Sequence, residues 1–217
     1  MGFPRRESWF ARHPEVRAVL EERATSLPAV ALPAGSRRGA ADLPVSRLLV
    51  VEEGVVLMRS PVVARRRNMV VACCTSGAVL SAPRPGEAFQ ALTDAWLTVI
   101  SPSTLLDLVS SPTVADLLLG GLEETLTRQR EAVRSLAAIR HVDRVRDELI
   151  ELARDHGRVC RDGIRIDLPL THDLIADMVG CARETVTRAL EELTSSGFVA
   201  RRGRHSHLLV DAAALSA

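Results

Sequence analysis

Three charged side chains in the last quarter of the chain have the chemistry of base recognition. These residues are Arg183, Glu184 and Arg188. A guanidinium group can donate two hydrogen bonds to O6 and N7 of guanine, and a carboxylate can accept one from N4 of cytosine. A helix that presents all three residues could therefore read two guanines and one cytosine from a DNA major groove.

Other polar residues of the same stretch suit the sugar-phosphate backbone. Hydroxyl groups can bond phosphate oxygens, and such contacts position a protein without specifying a sequence. Arginines near a glycine turn would add salt-dependent affinity for phosphates. The candidate backbone contacts are Thr171, Thr185, Thr187, Arg201, Arg202 and Arg204.

Two short helices must position these side chains. Thr171 is suited to cap a first helix, and Gly180 is suited to the left-handed conformation that ends it. A second helix is predicted from Arg183 to about Thr194, with its apolar positions turned inward and its charged residues on the outer, N-terminal part. Two helices joined by such a turn are typical of a helix-turn-helix, whose second helix enters the major groove.

A basic hairpin is predicted after these helices. Phe198 and Val199 begin one short strand, and residues 207–210 form the other. The turn between them carries arginines and Gly203. Helix, turn, helix and basic wing in this order predict a winged helix-turn-helix over residues 140–217.

The segment from Val179 to Leu190, VGCARETVTRAL, resembles the signature VGCSRETVxRxL of the Crp/Fnr family of bacterial transcription regulators. Weaker similarity links Leu49 to Leu57 and Pro33 to Gly35 with the cyclic-nucleotide-binding-type barrel of that family. The resemblance implies double-stranded DNA as partner, a TGTGA-like half-site in a two-fold symmetric operator, and RNA polymerase as a further candidate partner. It assigns base reading to Arg183, Glu184 and Arg188.

Ala182 departs from the family signature, which usually has serine there. An alanine at the N-cap loses a hydrogen bond to the start of the helix, at a cost of about 1 kcal/mol. This change bears on the affinity for DNA more than on its specificity.

Three other interpretations stay open at this point. The charged residues could merely pair along the helix, Arg183 with Glu184 and Arg188 with Glu192, in a packing module. The chain could be an interaction scaffold that never binds DNA. An enzyme would have to use Cys74, His156 or the pair His172 and Asp173, but none has a nucleophile-elbow context, so no enzyme is predicted.

The first half of the chain has a different residue pattern. A short amphipathic helix is expected from Pro14. Valine-rich runs separated by glycine and proline follow to about Ile100, which predicts an antiparallel β-barrel or jelly roll over residues 1–112. The predicted strands are Leu48–Val51, Val55–Met58, Met69–Cys74 and Trp96–Ile100. Together with the later helices, this pattern places the chain in the α+β class.

A long helix is predicted from Thr113 to Ile139. It carries apolar residues at intervals of three and four, which indicate a stripe that pairs with a second copy and also touches the barrel. A helix packed only on its own barrel is the alternative. The stripe consists of Val114, Leu117, Leu118, Leu122, Leu126, Val133 and Leu136.

The resemblance also suggests where an effector would bind. Relatives that bind cyclic AMP carry a GE pair followed by an arginine, and the chain keeps Gly86 and Glu87 but has no arginine before Trp96. Gln129 and Arg130 match the adenine-contacting positions of the long helix. Standard cyclic AMP binding is therefore not expected, and the pocket is either degenerate or rewired for a ligand such as a cyclic dinucleotide. No other cofactor is predicted.

Composition limits the remaining function classes. The net charge of +1 excludes a globally basic nucleic-acid coat. Cys73, Cys74, Cys160 and Cys181 form no CxxC pair, so no metal or disulfide framework is expected. No apolar run reaches the roughly 20 residues that span a bilayer, and no signal peptide is visible, so a cytoplasmic location is expected.

Overall fold

The computed structural model describes residues 12–23, 27–62, 67–137, 140–202 and 207–210. The chain divides into two compact units, Met1–Arg130 and Glu131–Ala217. The division falls inside the predicted dimerisation helix.

The first unit is built from antiparallel strands with helices before and after them. In chain order its elements are α1 (Pro14–Glu22), β1 (Ala29–Leu32), β2 (Arg37–Gly39), a short 3₁₀ helix (Ala40–Asp42), β3 (Leu48–Glu53), β4 (Val56–Val62), β5 (Arg67–Cys74), β6 (Val79–Ser81), β7 (Ala88–Ala91), β8 (Ala95–Ile100), α2 (Pro102–Leu108) and α3 (Pro112–Ser135).

These strands form two four-stranded antiparallel sheets, ordered β1-β8-β3-β6 and β2-β7-β4-β5. Between them lies an apolar core that includes Leu49, Met58, Phe89 and Leu97, each at most 8% exposed. This arrangement confirms the predicted antiparallel β domain. The four predicted strands correspond to β3, β4, β5 and β8, whereas β1, β2, β6 and β7 were not individually predicted.

Gly54 makes the turn from β3 to β4 with a φ of +87°. Residues that carry a β-carbon rarely adopt this backbone conformation, and a β-carbon there would also collide with Asp94 and Ala95. Glycine is therefore required at this turn.

The next connection, between β4 and β5, contains Arg65 and Arg66, which lie outside the described residues.

The helices of the first unit cover the other face of the first sheet. A second core joins Val16 of α1 and Leu108 of α2 to Val50 and Val79 of the sheet, and Leu118 of α3 completes it. The predicted helix at Pro14 is confirmed, with proline in its first turn.

α3 begins one residue before the predicted start and ends at Ser135 rather than near Ile139. Its apolar stripe divides between two faces. Val114 and Leu118 are buried, whereas Leu126 and Val133 are 47 and 68% exposed. Leu119, which is not part of the predicted stripe, is 58% exposed and lies seven residues before Leu126. The exposed residues recur every seven positions, which is the repeat of a coiled-coil seam.

The second unit consists of three helices that pack against one another and a small antiparallel sheet. Its elements are α4 (His141–His156), β9 (Gly157–Cys160), β10 (Gly163–Ile166), α5 (His172–Val179), α6 (Arg183–Ser195), β11 (Val199–Arg202) and β12 (His207–Val210). The sheet order is β11-β12-β10-β9. Leu149, Ile175 and Val186 are buried at the helix core, and the Arg146 guanidinium lies 5.1 Å from the centre of the Phe198 ring.

Candidate DNA-reading surface

α5 is fixed at both ends by residues that the sequence identified. The Thr171 hydroxyl oxygen accepts a hydrogen bond from the backbone N–H of Leu174 at 3.1 Å. Gly180 has a φ of 64° and ends the helix in the left-handed conformation. The chain then turns within two residues, and Cys181 N–H donates to the Ala176 carbonyl at 3.1 Å. This turn sets the angle at which α6 leaves α5.

α6 has one apolar and one charged face. Val186, Ala189, Leu190 and Leu193 are buried, with exposures of 7% or less. Arg183, Glu184 and Arg188 are exposed. The helix therefore presents the three predicted base-reading side chains to solvent on its N-terminal half.

Ala182 occupies the N-cap of α6 in an extended conformation and provides no side-chain cap. Its carbonyl accepts from the backbone N–H groups of Thr185 and Val186, both at 3.1 Å. The capping hydrogen bond that the sequence predicts to be missing is thus absent at the N-cap of α6.

The first turn of α5 contacts α6 on the side that carries the arginines. Asp173 Oδ2 lies 3.7 Å from Nε of Arg183, with both side chains more than half exposed. His172 Nδ1 lies 2.8 Å from Thr187 Oγ1, and the Thr187 hydroxyl donates to the Arg183 carbonyl at 3.1 Å. The sequence pattern does not predict these contacts between α5 and α6.

Glu192 pairs with Arg140 and not with Arg188, the partner that the packing-module interpretation requires. Its Oε1 lies 2.8 Å from the guanidinium of Arg140, which precedes α4. Among the residues that the structure describes, no ion pair joins Arg188 to Glu192 or Arg183 to Glu184. Arg188 is therefore available for an external partner, whereas Arg183 has an ion pair with Asp173 in which both side chains are exposed.

The remaining candidate backbone contacts lie on three elements. Thr171 is exposed at the start of α5, and Thr185 is partly buried in the first turn of α6. Arg201 and Arg202 lie on β11, which pairs with β12. Arg204 lies outside the described residues.

Two carboxyl groups of α4 have raised pKa values. Burial, with smaller contributions from the negative charges of Glu151 and Asp155, raises the pKa of Glu148 to about 7. Burial also raises the pKa of Asp147, partly opposed by Arg146. Near neutral pH, Glu148 therefore exists as a mixture of acid and carboxylate.

The candidate effector residues of the β domain are held in a tight turn. Gly86 and Glu87 lie in the connection between β6 and β7, where the Glu87 carboxylate accepts from the Arg84 N–H at 2.9 Å. The Glu87 N–H in turn donates to the Arg84 carbonyl at 2.9 Å. Glu87 therefore stabilises its own turn.

The two helix residues proposed for the effector lie on α3. Gln129 Nε2 is 3.7 Å from the Met58 sulfur, and Arg130 is exposed. Within the described ranges, no hydrogen bond joins Gly86 or Glu87 to either of them. Their grouping in one effector site therefore stays a prediction.

Metal-binding clusters and membrane-spanning helices can be assessed in the part of the chain that the structure describes. That part of the chain contains no group of three His, Cys, Asp or Glu residues placed to hold a metal ion. It also contains no helix that is both long and apolar enough to cross a bilayer. Cys74 is buried and Cys73 half-buried, as expected for neighbours on opposite faces of a strand.

Comparisons with known proteins agree with this geometry. Residues 143–217 match the Crp-like helix-turn-helix domain family. The global nitrogen regulator of Synechococcus elongatus is 37% identical over 93 residues, which cover 43% of this chain and 42% of that protein. The chain thus matches about two fifths of the length of this curated relative.

Solved structures extend the similarity to the fold of nearly the whole chain. A CooA mutant from Carboxydothermus hydrogenoformans has a TM-score of 0.72 at 19% identity, covering 93% of this chain and 94% of that chain. A CRP/FNR family transcriptional regulator from Thermus thermophilus has a TM-score of 0.64 at 24% identity, covering 87% of this chain and 96% of that chain.

The first unit is an antiparallel β domain, and the second is a helix-turn-helix, α5 and α6, followed by the hairpin of β11 and β12. Residues 143–217 match the Crp-like helix-turn-helix domain family, and nearly the whole chain shares its fold with the CRP/FNR family regulator from Thermus thermophilus. The resemblance drawn from the signature of α6 is thereby confirmed.

Proposed function

We propose that this protein is a sequence-specific DNA-binding transcription regulator of the Crp/Fnr type. The observation that carries the proposal is α6, which buries four apolar residues and exposes Arg183, Glu184 and Arg188 on its N-terminal half. This end of a recognition helix meets the base edges in the major groove. A TGTGA-like half-site supplies guanines for the arginines and, on the complementary strand, cytosines for the glutamate.

The protein acts as a homodimer on a two-fold symmetric operator. Leu119, Leu126 and Val133 form an exposed apolar seam with a seven-residue repeat, and a second copy of α3 has the same seam. Residues 1–112 form the β domain, 113–139 the dimerisation segment and 140–217 the DNA-binding domain. Double-stranded DNA is the main partner, RNA polymerase is a further one, and the site of action is the cytoplasm.

The β domain does not bind cyclic AMP in the standard way. Glu87 uses its carboxylate to hold a turn, and the space between the two sheets is filled by apolar side chains such as Met58 and Phe89. A buried phosphate needs a cation and oriented amides rather than such a core. The domain therefore acts as a degenerate scaffold, with a rewired ligand site at Gln129 and Arg130 as the alternative.

The test is a mobility-shift titration on a palindromic TGTGA duplex and a scrambled duplex at fixed, stated salt, because phosphate contacts make affinity salt-dependent. Wild type should prefer the palindrome by at least about 10³-fold. Arg188→Ala should lose about 10- to 100-fold on the palindrome and little on the scrambled duplex. Arg154→Ala, on α4 and paired with Glu151, is the matched control.

Effectors are tested in the same titration with cyclic AMP, cyclic GMP and cyclic di-GMP. Tight, specific binding without any of them supports a degenerate β domain. Binding that appears only with one nucleotide favours the rewired site. Equal affinity for both duplexes under every condition would refute the proposed function, and transcription in vitro with RNA polymerase tests that partner separately.

A further inference from the structure

Asp173, the second residue of α5, lies next to the first residue of the reading helix. Its Oδ2 is 3.7 Å from Nε of Arg183, and both side chains are more than half exposed. α5 begins at His172 and α6 at Arg183. A carboxylate of the supporting helix is thus paired with the first of the two arginines that are predicted to read bases.

The contact between Asp173 and Arg183 is electrostatic. A separation of 3.7 Å suits an ion pair but is longer than a hydrogen bond, so the contact itself uses none of the five N–H donors of the guanidinium. In the free protein water surrounds both groups, and the pair contributes little to stability. DNA removes part of this water when it binds, which strengthens the attraction between the two charges.

The ion pair acts differently on the two kinds of acceptor that DNA offers. The attraction between a guanidinium and a phosphate depends on the positive charge, which the Asp173 carboxylate offsets. A phosphate beside Arg183 would also lie close to that carboxylate and be repelled by it. O6 and N7 of guanine are neutral, and they need only N–H donors, which the paired guanidinium still has. The pair therefore disfavours a phosphate contact more than a guanine contact.

We propose that Asp173 is a specificity-determining residue, which restrains Arg183 from binding phosphates and so raises its preference for guanine. This inference rests on the proposed function of α6 as a DNA-reading helix. On DNA of arbitrary sequence, Asp173 weakens binding. On the operator, it leaves the contact between Arg183 and guanine intact, so selectivity comes from a penalty on the non-specific complex.

The direct test compares the palindromic TGTGA duplex with the scrambled duplex. Asp173→Asn removes the charge and keeps the size of the side chain. The ratio of the two affinities should fall about 10-fold, mainly because the scrambled duplex is bound more tightly. Asp173→Glu keeps the charge and should keep the wild-type ratio. A ratio that falls as far in Asp173→Glu would contradict a role for the charge.

The salt dependence of binding gives a second measurement. On the scrambled duplex, the slope of log affinity against log salt concentration should steepen by about 0.9 for each Arg183 that gains a phosphate in Asp173→Asn. The slope on the palindrome should change less. Asp143→Asn is the matched control, since Asp143 lies in the first turn of α4 and the substitution removes the same charge. This control should leave the affinity ratio unchanged.

An Arg183→Ala background shows whether Arg183 is responsible for the effect. Without the guanidinium, the Asp173 charge acts on the phosphates of both duplexes alike. Asp173→Asn should therefore leave the affinity ratio of the Arg183→Ala protein unchanged. An equal fall of the ratio in both backgrounds would mean that Asp173 acts without Arg183, which would overturn the inference.

The outcomes separate the two proposals. Equal binding of the palindromic and scrambled duplexes by wild type would refute the proposed function and this inference with it. If wild type prefers the palindrome and Asp173→Asn raises both affinities by the same factor, the carboxylate merely repels DNA, and only the role of Asp173 is refuted. The same conclusion follows if Asp173→Asn changes neither affinity.

Discussion

Gly121 of α3 packs directly against Val79 of β6. A β-carbon on Gly121 would collide with the Val79 side chain and lie 2.9 Å from the Gly77 carbonyl oxygen. One turn later, the Thr125 hydroxyl lies 2.9 Å from the Val79 carbonyl oxygen. The long helix therefore packs closely on the β domain at Gly121 and Thr125, in addition to the apolar contacts of Val114 and Leu118.

Adjacent glycines on α3 allow a matched test of this contact. Gly121→Ala should destabilise the protein by about 1–3 kcal/mol because the sheet must move to admit the methyl group. Gly120→Ala should stabilise it by about 1 kcal/mol, because a β-carbon at Gly120 meets nothing within 4 Å and alanine favours the helix. The free energies of unfolding are measured by denaturant titration. Equal changes in the free energy of unfolding for the two substitutions would show that Gly121 does not pack closely against Val79.

A second prediction concerns the uncapped start of α6. Ala182→Ser supplies a hydroxyl at an N-cap that has none and should raise the free energy of unfolding by about 1 kcal/mol. Thr171→Ala removes the cap that α5 does have and should lower it by a similar amount. Thermal denaturation of both variants checks this prediction. If Ala182→Ser leaves the melting temperature unchanged while Thr171→Ala lowers it, the start of α6 is stabilised by other means.

The predicted helices of the DNA-reading domain agree with the structure because their ends carry strong local signals. Thr171 and Gly180 bound α5 as predicted, and α6 starts at Arg183 as predicted. The hairpin of β9 and β10 was missed. Arg158, Val159 and Cys160 of β9 are all exposed, so this strand has no alternating apolar pattern and owes its place to pairing with β10.

The candidate site was predictable in part for a similar reason. The exposure of Arg183, Glu184 and Arg188 follows from helical periodicity within a single element. The contact between His172 and Thr187 joins residues fifteen positions apart on different helices, and its distance depends on the angle between α5 and α6. Likewise, the stripe on α3 was visible in the sequence, but its division into a buried and an exposed face depends on where the sheet lies.

A third prediction follows from the raised pKa of Glu148. The unfolded chain loses this proton near pH 4.5, whereas the folded protein keeps it to about pH 7. The folded state therefore binds more protons between these values, and its stability falls as the pH rises through this window and then levels off. Glu148→Gln removes this loss and should stabilise the protein by about 1–2 kcal/mol at pH 8, after allowance for the partial exposure of the side chain.

The measurement is the free energy of unfolding of both proteins between pH 4.5 and 8. The advantage of Glu148→Gln should be small at pH 4.5 and grow up to about pH 7. If the free energies of unfolding of wild type and Glu148→Gln differ by a constant amount across this pH range, burial of Glu148 does not favour its neutral form.

The last prediction concerns the exposed seam of α3. Leu126 is 47% exposed and lies midway between Leu119 and Val133. In a parallel pair of α3 helices, residues of this seam meet their counterparts, so Leu126→Glu would place two carboxylates together and remove two apolar side chains from the interface. The dimer dissociation constant should rise at least about 100-fold. Because Leu126 is half exposed in each copy, the far-UV circular dichroism spectrum should stay that of wild type.

Sedimentation equilibrium measures the association directly. Leu106→Glu is the matched control, since Leu106 is 72% exposed on α2, outside the seam. The control should remain dimeric. Affinity for a palindromic duplex should fall more in Leu126→Glu than affinity for a single half-site, because only the palindrome engages two linked recognition helices. If Leu126→Glu stays dimeric, the pairing surface lies elsewhere and the seven-residue repeat of α3 does not mark it.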